Sequence, residues 1–338
     1  HYTTPPAQHQ PFRDAQLAWV SDPSGAPPEP PEVGDDEIRE TIEKAQLPMS
    51  RQRGIDLTLF SPRAAGMEHH VEDPGIAKTW AQHNNDLIHQ VVGLYPDVFI
   101  GVCQLPQVPN GFLGPAIEEL DRCISELGFV ACNLNPDPSG GYWTSPPVTD
   151  EYWFPLYERM VELGVPAMIH ASKAVNPAFQ GTGDHYLNAD TTVFMQLLEG
   201  DLFARFPELR LVIPHGGGAV PYHWGRYRGL VARLGRPSLD EHLMGNVYFD
   251  TCVYHRPGVG LLFEVVRVEN ILFASEMLGA VRSVDPETGF HFDDTKRYVE
   301  SLDLSDEERQ KVFESNVRKV YPRLDEVLQK RAAEMERG

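Results

Sequence analysis

The chain has 338 residues, 41% of them hydrophobic and 23% charged, which is enough apolar material for a full core. Its formal charge of −20 argues against nucleic acid and anionic membranes as partners, and no apolar run approaches the roughly 20 residues of a membrane span. No signal peptide is recognisable, and Cys103, Cys123, Cys132 and Cys252 show no C-x-x-C spacing, so a reduced, cytoplasmic protein is expected.

Tyr2–Gly34 is dense in proline, so residues 5–34 are expected to form a long irregular loop with no regular helix. Asp35–Met49 then has apolar Ile38, Ile42, Ala45 and Leu47 behind an acidic first turn, which predicts a helix. From there short β-like runs alternate with helical stretches. The runs are Ile55–Phe60, Val98–Leu105, Phe129–Leu134, Val165–Ile169, Leu209–Ile213, Val247–Phe249 and Ile271–Ala274. Helices are predicted over Asp73–Tyr95, Ala116–Leu127, Asp150–Leu163 and Asp190–Phe206, with closing helices over 305–335. Ser305 and Glu308 have capping-box spacing. Such alternation predicts βαβ units and a parallel sheet.

The connections leading into strands are short, while those leaving them are long, as in Pro136–Thr149, Ser172–Ala189 and Met277–Thr295. Long loops on one face are the mark of a functional barrel rim. A Rossmann sheet would want a glycine-rich phosphate turn after its first strand, and none is present. The expectation is therefore α/β, a single distorted (β/α)8 barrel over residues 1–338. Seven strands are visible, so the eighth should precede His1, as if the first strand were truncated.

Each run ends in a group able to bind a ligand: Arg63, Gln104, Asn135, His170, His215, Asp250 and Glu276. His170, His215 and Glu276 together would suit one divalent ion, since zinc accepts imidazole and carboxylate and keeps a position for water. A single rim histidine would more simply be a hydrogen-bonded structural residue. After His215 come Gly216–Gly218, then His223, Arg226 and Arg228, expected to converge on the end of the strand. His69, His70, His83 and His89 read as surface residues, Asp190 as a helix cap, and Cys103, Cys132 and Cys252 as core. Arg63, Lys173, Arg226, Arg228, Arg256, Arg282 and Arg318 lie near strand ends. Several arginines at one rim would grip a polycarboxylate, although surface ion pairs explain any one of them.

The strings IPHGGGAVPYHWGRYRG, FDTCVYH, NLNPDPSGGYWTSPP, HYLNADTT and FASEMLGAVR together resemble the 4-oxalomesaconate hydratases. These belong to the amidohydrolase superfamily, in the branch of the aminocarboxymuconate-semialdehyde decarboxylases. The resemblance covers nearly the whole chain. It implies a metal-dependent barrel with one zinc per subunit and a homo-oligomer. The activity it implies is addition of water to a tricarboxylic keto acid from protocatechuate or gallate ring cleavage, giving 4-carboxy-4-hydroxy-2-oxoadipate. The family's first strand ends in His-x-His followed by Tyr-Thr-Thr, so His1 matches the second of that pair. By the same resemblance His1, His170 and Glu276 are the expected metal ligands, and Glu276 and His215 the expected catalytic groups. Arg63, Asn135, Tyr186, His223 and Arg228 are expected to contact substrate. Glutamate at 276, where most of the superfamily has aspartate, favours a hydratase over a decarboxylase. A metal-dependent decarboxylase or hydrolase, and a non-catalytic carboxylate-binding barrel, are the competing readings.

Overall fold

The structure is a computed structural model that describes residues 1–180 and 183–335. Residues 181 and 182 of the loop expected after His170, and 336–338 at the end of the barrel range, lie outside the described residues. Seven strands are described: β1 Thr58–Phe60, β2 Phe99–Gln104, β3 Ala131–Leu134, β4 Ala167–Ile169, β5 Leu211–Ile213, β6 Val247–Asp250 and β7 Ile271–Leu272. They lie in sequential order, and every neighbouring pair is parallel. The sheet curls into a half-barrel. Side chains on both its faces are buried along β2, β3, β5 and β6, which is why these strands are apolar runs without alternation. Tyr2 forms a parallel bridge to Pro62, just past β1, so the first residues of the chain lie against the free edge of the sheet. No helix among the described residues is long and apolar enough to cross a membrane.

Three helical expectations need correction: the helix expected over Asp190–Phe206 starts at Asp184 and ends at Glu199, where Gly200 turns extended, and Leu202–Arg205 is a separate turn of helix. Residues 5–34 are not irregular throughout, because His9–Ser21 is an α-helix. Pro11 falls in its first turn, where backbone N–H groups have no intrahelical partner, and the next ten residues contain no proline. Its Phe12 packs with Met67, Trp80 and Ala81 in a small second core. The helix expected over Asp35–Met49 is broken into Asp35–Lys44 and Gln46–Gln52. Pro48 cannot donate to the carbonyl four residues back, and the break at Ala45 relieves that defect.

The helices Pro74–Leu94, Gly114–Ser125 and Phe154–Leu163 form close to the expected limits. Asp73 caps the first, its carboxylate accepting from the Ile76 N–H. Ser305 and Glu308 form the expected capping box. In the closing segment, Asn316 donates to the carbonyls of Val268 and Ile271. The Phe273 N–H bonds the Val312 carbonyl, so the C-terminal helices are pinned against β7.

Candidate active site

The carboxyl ends of the strands bring a row of imidazoles together. The rings of His1 and His170 stand edge-on with centroids 5.1 Å apart, and those of His170 and His215 repeat that separation. Tyr186 lies over His215 at 4.4 Å. His170 extends β4, its N–H bonded to Leu134. Its Nδ1–H donates to the Ala171 carbonyl at 2.9 Å, leaving Nε2 with the lone pair, buried and without a partner. Burial, and then the neighbouring His215, push its pKa down to about 3, so His170 is neutral.

His215 has the opposite state. It sits at φ +52, a left-handed backbone that a non-glycine residue rarely adopts. Its Nδ1–H donates to Asp190 Oδ2 at 2.9 Å. Burial works to lower its pKa, but Asp190, with Glu276 and Asp250 behind it, raises it to about 9. Burial raises the pKa of Asp190 to about 6 against the pull of His215. At neutral pH the pair is an imidazolium against a carboxylate.

The turn after β5 explains the glycine triplet. Gly216, Gly217 and Gly218 all have positive φ. A Cβ at Gly218 would stand 2.5 Å from the Leu187 carbonyl oxygen. The glycines therefore allow the helix Asp184–Glu199, which carries Tyr186 and Asp190, to dock against His215. Gly218→Ala is expected to cost at least about 2 kcal/mol of stability, from strain plus overpacking. Urea denaturation would measure it, and a midpoint equal to wild type would refute the docking argument.

Glu276 follows β7 and also has positive φ, +49. Tyr254 O–H donates to its Oε2 at 2.6 Å, and the Cys252 thiol lies 3.5 Å from the same oxygen. Burial, with Glu276 nearby, pushes both the phenol and the thiol up, so both remain protonated donors. Tyr186 is raised by burial and then by Glu276, and likewise keeps its proton. Asp250 spends Oδ1 on the N–H groups of Gly216 and Cys252, so it shapes these turns.

Other expected contacts are placed differently. Arg63 caps a short 3-10 turn with its side chain exposed. Asn135 is buried and committed: its amide donates to His69 Nδ1 and Ser172 Oγ, and its oxygen accepts from the Asp137 N–H. The polar groups expected to converge after the glycines face solvent. His223, Arg226 and Arg228 are exposed: the helix Trp224–Arg233 buries Tyr227 and Val231, so its 3.6-residue period turns Arg226 and Arg228 outward, while His223 stands in the 3-10 turn Pro221–His223 that precedes it. Lys173 pairs with Glu68, and Arg318 with Glu314 and Asp325, as the surface-pair reading holds.

Asp190 was expected to cap a helix, yet it lies inside Asp184–Glu199 and bonds His215. His69 and His83 are buried rather than superficial; His69 Nε2 donates to Leu105. Cys252, read as core, is buried but borders Glu276. Tyr254 was missed altogether. The polar string Asp-Thr-Cys-Val-Tyr-His after β6 was the available signal, whereas no spacing announces the long-range Asp190 pair.

Among the described residues, no three His, Cys, Asp or Glu side chains stand together as a ready metal cage. The donors nonetheless fit a divalent ion one by one. His170 offers an unpartnered Nε2. His1, anchored through Nδ1 to Ser61 Oγ at 2.8 Å, has its other ring nitrogen free to coordinate. Glu276 adds a carboxylate. This is an imidazole and carboxylate set of the kind zinc accepts.

Against known proteins, residues 2–323 match the family described as Amidohydrolase. The chain is 58% identical over 331 residues to the 2-keto-4-carboxy-3-hexenedioate hydratase of Sphingobium sp., covering 98% of this chain and 97% of that protein. It is similar to the crystal structure of 4-oxalomesaconate hydratase from Rhodopseudomonas palustris, with TM-score 0.91, 52% identity and coverage of 98% and 97%. The structure of 2,6-dihydroxybenzoate decarboxylase from Rhizobium, at TM-score 0.66 and 19% identity over 82% of this chain and 87% of that one, shares the fold alone.

Proposed function

The chain belongs to the amidohydrolase family, and on that premise we propose that it is a hydro-lyase. Its substrate is 2-keto-4-carboxy-3-hexenedioate, and its product is 4-carboxy-4-hydroxy-2-oxoadipate. The observation that carries this reading is the pairing, at one mouth of the sheet, of a proton acceptor with a proton donor. Glu276 is the acceptor, tethered through one oxygen by Tyr254. The donor is His215, kept protonated by Asp190.

The family is generally metal-dependent. His1, His170 and Glu276 would hold the ion, for which zinc is our choice, and when bound it supplies Lewis-acid activation of water. The remaining chemistry belongs to the chain. The substrate's C3=C4 bond is conjugated with the C2 ketone. A water oxygen forms a bond to C4 as Glu276 takes the proton it sheds. The π pair moves toward C2, and charge collects on the ketone oxygen. In this reading the His215 imidazolium and the Tyr186 phenol donate to that oxygen and stabilise the developing charge. Glu276 then returns its proton to C3, and the enolate collapses to the ketone. Arg63 is our candidate for a carboxylate at the exposed rim.

Metal-replete protein incubated with the keto tricarboxylate should bleach the conjugated chromophore without releasing carbon dioxide. Carbon dioxide release would instead identify a decarboxylase, and binding without turnover a non-catalytic barrel. His170→Ala should lower metal affinity by more than the about 10- to 100-fold that losing an outer-shell partner typically costs. Unchanged metal by elemental analysis would remove His170 from the ligand set.

A further inference from the structure

Arg53 and Asp293 form an ion pair with side chains only 6% and 3% exposed. Arg53 ends the helix Gln46–Gln52, and Asp293 belongs to the long loop that leaves β7. The guanidinium donates to Asp293 Oδ1 at 2.6 Å and to the Asp293 carbonyl at 3.1 Å. The second carboxylate oxygen accepts the Leu278 N–H at 2.9 Å. Leu278, like Glu276 two residues earlier, has positive φ, +60.

The turn between them is tight. A Cβ at Gly279 would lie 2.3 Å from the Glu276 carbonyl oxygen and 2.7 Å from its carboxyl carbon. The base of the turn is held separately, since Thr251 and Thr295 both donate to the Ala274 carbonyl. Lys296 ties the far end of the loop to the carbonyls of Arg53 and Gly54.

Burying two charges is costly, and a well-packed apolar pair often gives equal stability. Stability alone does not explain why this pair is ionic. What an apolar pair lacks is an acceptor for the Leu278 N–H. Two positive φ values within three residues relax readily toward the β region unless surrounding bonds hold them. We propose that Asp293, fixed by Arg53, is a positioning residue that holds the Glu276–Leu278 turn and so aims the Glu276 carboxylate across the site. This rests on the hydratase reading above, in which Glu276 moves the proton.

The test compares Asp293→Ala with Asp293→Asn in the metal-loaded, full-length protein. Assayed at saturating metal, Asp293→Ala should lower kcat about 10- to 100-fold with KM within about threefold. Amide hydrogen exchange should accelerate in peptides spanning 274–280. Asp293→Asn keeps one acceptor oxygen and should recover most of the lost kcat. In a Glu276→Gln background, Asp293→Ala should cause no further loss, because the group it aims is already disabled.

A purely structural role would instead lower the residual rate of Glu276→Gln by the same factor as in wild type, and that result would overturn the proposal. So would unchanged exchange at 274–280, or wild-type kcat in Asp293→Ala. If Asp293→Ala does not fold, Asp293→Asn decides. Its single oxygen is shared between Arg53 and Leu278, so kcat should fall about threefold or more, and a wild-type kcat overturns the proposal. Wild-type enzyme that fails to hydrate the keto acid would sink the functional reading instead, while the exchange measurement still reports whether Asp293 holds the turn.

Discussion

Glu276→Gln is expected to reduce kcat by about a thousandfold or more while the protein stays folded. Glutamine keeps the side-chain length and an oxygen to accept the Tyr254 hydroxyl, which now lies 2.6 Å from Oε2. It has no site that takes a proton from water near neutral pH. Loss of general base catalysis typically costs about 10²–10⁴ in rate, and this same carboxyl must also return the proton to carbon. The measurement is steady-state bleaching of the conjugated substrate, beside circular dichroism and a thermal melt. A folded mutant with even a tenth of wild-type kcat would remove Glu276 from the proton transfers. Tyr254→Phe makes a graded companion, since it frees one carboxylate oxygen without removing the base.

His215→Asn should cost about 10²–10³ in kcat, the loss typical of removing one donor to a developing oxyanion, with KM changing much less. Asp190→Asn should give a smaller loss. It keeps an acceptor for Nδ1–H but removes the charge that holds the imidazolium. A wild-type rate in His215→Asn would leave the enolate oxygen without its proposed partner.

The same pair predicts a pH dependence of stability in chelator-treated protein. The folded-state pKa of His215 is raised from 6.5 to about 9, so the folded chain holds a proton that the unfolded chain releases first. This contribution is fully present below about pH 6.5 and is lost as pH rises through about 9. At about 1.4 kcal/mol per unit, it amounts to roughly 3 kcal/mol. Urea titrations at pH 6.5, 8 and 9.5 would show the decline, and His215→Asn should flatten it. A wild-type profile equally flat would mean that Asp190 does not hold the proton there.

Much of the architecture is carried by local pattern. Short apolar runs such as Val247–Phe249, alternating with longer helical stretches, read as strands buried on both faces with parallel pairing. Lopsided loop lengths mark the face where function lies, so His170, His215 and Glu276 could be singled out without coordinates. Local rules also had limits. Proline density hid the helix His9–Ser21, because a proline in the first turn is harmless, and Pro48 split a helix whose apolar period ran straight through it.

The strands, their parallel pairing and the residues at their ends follow from periodicity and chain connectivity over a few tens of residues. Which partners those end residues meet depends on packing between distant segments. Asp190 reaches His215 across 25 positions, Tyr254 reaches Glu276 from the neighbouring strand's loop, and Arg53 meets Asp293 across 240. Spacing cannot encode such pairs, because each depends on how far the sheet curls and on which face of a helix is turned inward. For the same reason His223 and Arg228, adjacent in sequence to the site, face solvent, while Tyr186 from another helix covers His215.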